Sequence, residues 1–430
     1  MISIDEAQRI VLDSVSPLPP ERMALLDALG CVLAEAVVAM IPLPPFDNSA
    51  MDGYAVAAED TRGASRDNPR ALKVAEDLPA GTAPARRVQR GTAARIMTGA
   101  PLPPGADAVV MVVETLARGT STGSGSPRED RAGPPRAKSR GGRGEVEILR
   151  EAEPGDNVRP AGEDIEAGVV ALSPGLTLGP GELGLAAALG CATVVAIRRP
   201  SVAVLTTGSE LVEPGEELKP GAIYNSNQAA LATRVLSVGA KVAKCLHVED
   251  EADAVERALR ECADADIILT TGGVSVGEYD FVKIALERLG EIKFWQVRMK
   301  PGKPVAFGEV LGRPLFGLPG NPVSALVTFE LLAAPALRRL AGHENCMPTT
   351  VKARLLTGLS HKPPRREYVQ AVTQHGEDGY VVQPSQKRGS AMLTSTVGAN
   401  SLVVIPEESV GVRAGEMVDV ILLACAGVTP

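Results

Sequence analysis

SVAVLTTGSE (residues 201–210) and ADIILTTGGVSVGEYD (265–280) share one construction: a short apolar, β-branched run followed by Thr-Thr-Gly. Such a run is too short for a helix and too continuous for a half-exposed strand. Each therefore reads as a strand buried on both faces, as in a parallel sheet. Working outward, NSNQAALATRVLSVG (225–239) has helical spacing behind an Asn or Ser cap, and AKVAKCLHV (240–248) is a strand. EADAVERALRECA (251–263) and DFVKIALERLG (280–290) are helices. KFWQVRM (293–299) and RPLFGL (313–318) are strands, and NPVSALVTFELLA (321–333) is a helix with Pro322 in its first turn. Strand–helix repetition at this spacing predicts a parallel-type α/β sheet from about Ala192 onward. Beyond Gly342 the alternation stops. VKARLL, REYVQAVTQ, GYVVQP, SLVVIPE and MVDVILLA then predict a small all-β domain.

Upstream, MISIDEAQRIVLDSV begins as an amphipathic helix and IPLPPFDNSAMDGYAV (41–56) is a Pro-rich bend. AARIMTGA (93–100) and ADAVVMVVE (106–114) are strand-like. Residues 144–175 alternate strands and turns, and GPGELGLAAALG (179–190) is a helix with a Gly stop. From Ala117 to Gly144 there is no Val, Ile, Leu, Met, Phe, Trp or Tyr. That stretch cannot bury enough apolar surface to offset its ordering entropy and reads as a mobile surface insertion.

A chain of 430 residues is too long for one core, so two to four domains are expected. With 45% hydrophobic and 22% charged residues the composition is that of a soluble globular protein. Only 3% aromatics and a net charge of -8 argue against nucleic acid as a partner. The N-terminus lacks the basic and apolar regions of a signal peptide, and no run of 18 uncharged apolar residues exists. Neither export nor membrane insertion is expected, and a cytoplasmic protein is. The six cysteines, far apart and without a CxxC pair, read as reduced core thiols. The histidines His247, His343, His361 and His375 lack metal-site spacing and read as ordinary surface or turn residues.

In open α/β sheets ligands bind beyond the carboxyl ends of the strands. Those ends deliver TTGSE, EDE, TTGGVSVGEYD, KPGKP and LPGNP to one rim. Gly208, Gly272, Gly273 and Gly320 offer backbone N–H groups there, which suits phosphate or another oxyanion. Lys300 and Lys303 add positive charge. Thr207, Ser209, Ser275 and Asn321 stand in the same turns as candidate cofactor contacts. Glu210, Asp250 and Asp280 bring carboxylates to this edge, where they would repel an anionic ligand unless a cation lay between. Magnesium prefers a few carboxylates plus phosphate oxygens. Singly, each acid also suits a helix cap, Asp250 before EADAVERAL among them. The glycine pattern is neither GxGxxG nor a Walker A loop, so a dehydrogenase or P-loop kinase is not indicated.

PPFDNSAMDGYAV, RIMTGAPLPPGADAVV, VRPAGEDI, LTTGSEL, TTGGVSVGEYD, KPGKP and LPGNPVSA together resemble, in order and over nearly the whole chain, the motif series of the MoeA family. These are the molybdopterin molybdenumtransferases, with gephyrin's E domain as a eukaryotic counterpart. The resemblance implies an elongated four-domain homodimer. Its parts would be a discontinuous N-terminal domain (1–46 and 145–180), an inserted mainly β domain (47–144), a MogA-like molybdopterin-binding α/β domain (181–340) and a C-terminal small β-barrel (341–430). It further implies adenylyl-molybdopterin and molybdate as substrates, magnesium as cofactor, AMP as leaving group, and an active site shared between subunits. Other cofactor-biosynthesis proteins are admitted as partners. Carried over residue by residue, it assigns functional positions to Asp52, Thr98, Arg159, Asp164, Glu210, Asp250, Asp280, Lys300, Pro319, Pro322 and Ser390. Gln296 and Gln370 stand where the family commonly carries basic residues, with Arg298 or Arg365 as compensating candidates. Two other functions fit the same α/β pattern: adenylylation of molybdopterin by ATP, and a non-catalytic binding or scaffold role.

Overall fold

The computed structural model describes residues 1–118, 144–273 and 281–423. It divides into two compact units. One comprises Met1–Glu35, Pro174–Leu183 and Thr193–Pro430, the other Ala36–Ser173 and Gly184–Ala192.

The first unit is built on a six-stranded sheet. Its order is Lys241–Val248, Ser201–Thr207, Ile267–Thr271, Arg313–Leu318, Ala306–Val310, Gly290–Trp295. The first four strands are parallel, and Ala306–Val310 runs antiparallel to both its neighbours. The expected parallel sheet is thus parallel in its centre and mixed at one side. The strand Ala306–Val310 escaped the sequence reading because PVAFGEV directly follows the turn-forming KPGKP.

Side chains along each strand alternate between two cores. Val202, Val204, Ile267, Leu269, Phe307 and Phe316 face one side, against Leu231 and Val235 of helix Ser226–Ser237, Ile4, Ala7 and Val11 of helix Ile4–Asp13, and the helical stretch from Pro322 to Leu340. Ala203, Leu205, Ile268 and Leu315 face the other, against helices Ala252–Glu261 and Phe281–Leu289. That double cover is why SVAVL and ADIIL read as uninterrupted apolar runs. Within the helical stretch, Phe329–Ala333 forms a π turn, and the Leu331 carbonyl accepts from Gln8 Nε2 at 3.0 Å.

Thr350–Leu355, Gly379–Pro384, Arg366–Gly376, Ser401–Ile405 and Met417–Leu422 close into a five-stranded barrel. Val369, Ala371, Val382, Val403 and Val420 fill it, while Tyr368, Leu402 and Ile421 belong to the core of the α/β sheet. The barrel and the sheet therefore share apolar surface. The short strand Met299–Lys300 adds to the barrel edge, parallel to Arg366–Glu367.

The second unit holds another six-stranded sheet, ordered Ala108–Met111, Gly53–Val56, Thr92–Ile96, Arg70–Leu78, Glu145–Ile148, Thr115–Arg118. It too is covered on both faces, Tyr54 and Val56 lying on one and Ala55 on the other. Ala117 and Arg118, expected within the insertion, extend a strand paired with Val146 and Glu145. Residues 119–143 of that insertion lie outside the described residues.

Of the cysteines, Cys31, Cys262 and Cys346 are buried free thiols as expected, but Cys245 is exposed and Cys191 half-buried. Cys245 sits on the edge strand Lys241–Val248, which among the described residues pairs only with Ser201–Thr207.

Candidate functional site

The carboxyl ends of the parallel strands form a rim of hydroxyls and bare backbone. Thr206, Thr207, Thr270 and Thr271 are buried there. Gly272 has φ +95°, and a Cβ on it would lie 2.4 Å from the Thr207 carbonyl oxygen. Only glycine lets the two strand ends approach this closely. Asn227, from the helix start NSNQ, donates to Thr271 Oγ1 at 3.1 Å and to the Gly320 carbonyl at 2.7 Å. Thr271 in turn donates to the Pro319 carbonyl at 3.1 Å. The central strand end is thus tied to the Leu318–Pro322 turn. Two buried polar atoms at this rim, Thr207 Oγ1 and Asn227 Oδ1, have no partner among the described residues. Unpartnered buried groups are costly and mark places where a ligand can supply the bond.

Glu210 and Asp250 follow adjacent strands, Glu210 exposed and Asp250 half-buried. The helix cap position is occupied by Glu251, without a side-chain bond, so Asp250 does not act as the plain cap its place in the sequence allows. Ser209 is exposed beside Glu210. Asp280 and Ser275 lie outside the described residues. Among the described residues no three His, Cys, Asp or Glu side chains cluster to hold a metal ion.

On the other side of the Leu318–Pro322 turn, against the barrel, lies a cleft of about 550 Å3. Pro319 and Asn321 line it, so the turn belongs to both the rim and the cleft. Lys300, Lys303, Lys362, Arg365, Lys387 and Arg388 surround it, and Glu367 is the single carboxylate among its lining residues. Ser390 is held here by Asn321 Nδ2, which donates to its hydroxyl at 3.0 Å, and its carbonyl accepts from Val323 N at 3.0 Å. Arg388 donates to the Ser360 carbonyl at 3.3 Å. Glu367, 5% exposed, divides its oxygens between Lys300 Nζ at 3.0 Å and His361 Nδ1 at 2.7 Å. His361 is therefore no surface residue: its side chain is fully buried, and its Nε2 has no partner among the described residues. Six cations against one carboxylate give the cleft a positive charge of the kind that suits a compact, multiply charged anion.

In the second unit, Asp52 Oδ1 accepts from both the backbone N–H and the hydroxyl of Thr98, each at 2.7 Å. These bonds, the backbone one foremost, hold the Asp52 carboxyl below the usual carboxylate range. Arg159 pairs with Asn48 in a short two-stranded ribbon, and Asp47 accepts from Ala161 N at 2.7 Å. The DNSAMDG and VRPAGED segments are thereby fastened together, leaving Arg159 and Asp164 exposed.

Comparison with known proteins decides what this arrangement belongs to. A profile of the MoeA N-terminal region (domain I and II) matches residues 2–190, one of a probable molybdopterin binding domain 203–339, and one of the MoeA C-terminal region (domain IV) 352–423. The chain belongs to the MoeA family. Molybdopterin molybdenumtransferase 2 of Mycobacterium tuberculosis is 41% identical over 427 residues, covering 98% of this chain and 99% of that protein. The molybdopterin molybdenumtransferase of Haemophilus influenzae is 35% identical, covering 98% of each chain. Two solved structures of the molybdopterin biosynthesis MoeA protein of Pyrococcus horikoshii match with TM-scores of 0.77 and 0.73. They are 33% and 32% identical and cover 98% of this chain and 99% and 100% of those chains.

Within this MoeA-type chain the structure gathers the expected residues into three groups. Thr207, Gly208, Gly272, Gly273 and Gly320 meet at the rim, with Glu210 and Asp250 on the strand ends beside them. Lys300, Lys303, Pro319, Asn321 and Ser390 meet in the cleft, with Pro322 opening the helix behind the shared turn. Asp52 and Thr98 meet in the second unit. Gln370 lines the cleft, as does Arg365, whereas Arg298 is exposed and is not among the lining residues. Four contributors were missed from sequence. Asn227 was hidden in what reads as a helix cap. His361, Glu367 and Arg388 lie on barrel segments far from any strand-end turn. The basic runs HKPPRR (361–366) and QKR (386–388) were the only available signal.

Proposed function

We propose that this enzyme is a molybdopterin molybdenumtransferase: it inserts molybdenum from molybdate into adenylyl-molybdopterin and releases AMP. One observation carries the proposal. The Leu318–Pro322 turn is shared by a rim of glycine backbone and hydroxyls and by a cationic cleft, so a phosphate-bearing ligand and a small oxyanion can be held side by side. The rim residues Thr207, Gly272 and Asn227 orient the adenylylated pterin. Lys300, Lys303, Ser390 and their neighbours hold molybdate for transfer to the dithiolene sulfurs. Carboxylates at adjacent strand ends, Glu210 exposed and Asp250 half-buried, fit magnesium, which takes few protein ligands. Glu210 and Asp250, with Asp280, would hold it, and it would neutralise phosphate charge.

Relatives matched over nearly the whole chain are named molybdopterin molybdenumtransferase, which favours this reading over adenylyl transfer from ATP. As part of the same proposal the enzyme is a cytoplasmic homodimer. In the second unit Val38 (39% exposed), Met40 (81%), Val169 (47%) and Val170 (53%) form an apolar ribbon suited to a second copy. No helix of the described residues is long and apolar enough to cross a membrane.

The test is AMP release from adenylyl-molybdopterin with and without molybdate and magnesium. Release that requires both supports the proposal. ATP consumption on molybdopterin would indicate the adenylyltransferase, and no turnover at all a scaffold. Sedimentation velocity of the free protein tests the dimer.

A further inference from the structure

Glu367 lies against the cleft's cations, buried, with one oxygen on Lys300 and the other on His361. An anion entering the cleft must compete with Glu367 for Lys300. If the carboxylate faces a neutral imidazole, Lys300 is its main counter-charge. A second proton on His361 gives Glu367 a fully buried cationic partner at 2.7 Å and releases Lys300 to the anion. Because Glu367 accepts at Nδ1, the added proton resides on Nε2, a buried atom that has no partner among the described residues, on a residue that borders the cleft. We propose that the His361–Glu367–Lys300 chain is a proton-linked counter-charge that sets the cleft's affinity: binding of a tetrahedral oxyanion takes up a proton at His361, and Glu367 restrains that affinity when His361 is neutral. Glu367 and His361 are thus positioning residues acting through Lys300. The inference rests on the anion reading of the cleft.

The other charged groups around Glu367 are lysines and arginines of the cleft, with Arg366 and Tyr368 on its own strand. Lys362 and Arg365 flank His361 on its own loop, Lys303 follows Lys300, and Lys387 and Arg388 approach from the segment before Ser390. Arg366, next on the strand, is held charged by a bidentate pair with Asp5 at 2.8 and 2.9 Å. Burial foremost pushes the Tyr368 hydroxyl up to about 12, with Asp5 and Glu407 as the nearby acids. His361 is the one imidazole among these groups, and its Nε2 has no partner among the described residues. The sign follows: a bound anion favours the charged imidazole, so affinity rises as pH falls.

Sulfate is a suitable probe, being a tetrahedral dianion that does not titrate in this range, and displacement by molybdate identifies the site. In calorimetry on the full chain, sulfate affinity should rise about tenfold between about pH 8 and about pH 5.5. Comparison of two buffers of different ionisation heat should show net proton uptake. His361→Asn keeps an N–H for Glu367 but cannot titrate, so its affinity should be flat with pH. Glu367→Gln should bind sulfate more tightly than wild type at about pH 8, with little pH dependence. A wild-type affinity flat with pH, no proton uptake, or weaker sulfate binding by Glu367→Gln would each overturn the inference while leaving the anion cleft standing. If molybdate-displaceable sulfate binds at no pH, the cleft reading falls and this inference with it. Should both variants misfold, the wild-type proton count decides alone.

Discussion

The rim and the cleft share one turn, and in the proposed function they receive anions by different means. The rim uses parts that cannot change charge: glycine backbone at Gly272 and Gly273, threonine hydroxyls, the Asn227 amide. It is assembled by the sheet itself, and its geometry depends on how closely two strand ends approach. The cleft uses long cationic side chains, most of them exposed, four from barrel loops and two, Lys300 and Lys303, from the segment between two strands of the α/β sheet. Its geometry is soft and its strength is charge. The two should therefore fail differently. Damage to the rim should be structural and sharp, damage to the cleft electrostatic and salt-sensitive.

The largest effect is expected at Gly272. A Cβ there would lie 2.4 Å from the Thr207 carbonyl oxygen and 2.8 Å from its hydroxyl, at a φ that side chains rarely adopt. Gly272→Ala should cost about 3 kcal/mol in denaturant unfolding and reduce AMP release more than a hundredfold. Gly320→Ala is the matched control, since its Cβ would meet nothing closer than 3.8 Å and should change stability by less than about 0.5 kcal/mol. Equal stability of the two variants would break the claim that strand-end approach builds the rim.

A smaller effect is expected in the cleft. Lys303→Ala removes one exposed charge-assisted donor, so molybdate affinity should fall about tenfold and wild-type binding should weaken steeply with salt. Stability and molybdopterin affinity should be almost unchanged. A comparable loss of molybdopterin binding would mean that the rim and the cleft are one site.

The smallest and most discriminating change is Thr207→Val. It replaces a buried hydroxyl that has no partner among the described residues with a methyl group of similar shape. Thermal stability should hold or rise slightly, while molybdopterin affinity should drop several-fold. If affinity is unaffected, the orphaned hydroxyl does not meet the ligand.

Much of the fold was legible in the order of residues. SVAVL and ADIIL could be read as central strands because burial on both faces leaves no polar alternation, and the turns after them carried Thr207, Gly208, Gly272 and Gly273 in plain view. The barrel strands were legible as short apolar runs separated by turn residues. Three features were not. Ala306–Val310 follows a Pro-Gly turn and looks like more of it. Asn227 sits two residues after the Asn225 cap, where its side chain could as well have faced solvent. His361 looked like a surface residue because its burial comes from a partner six positions away and from the barrel closing around it.

What the sequence by itself determined was every choice governed by local periodicity and turn chemistry: which runs are strands, which turns need glycine, and which MoeA motifs are present. The tertiary structure decided which turns share a ligand, that the barrel supplies most of the cleft's charge, and that Glu367 stands between Lys300 and His361. The physical reason is separation along the chain. Backbone preferences act over a few residues, whereas the cleft joins Lys300 to Ser390 through sheet pairing and core packing that no local pattern encodes.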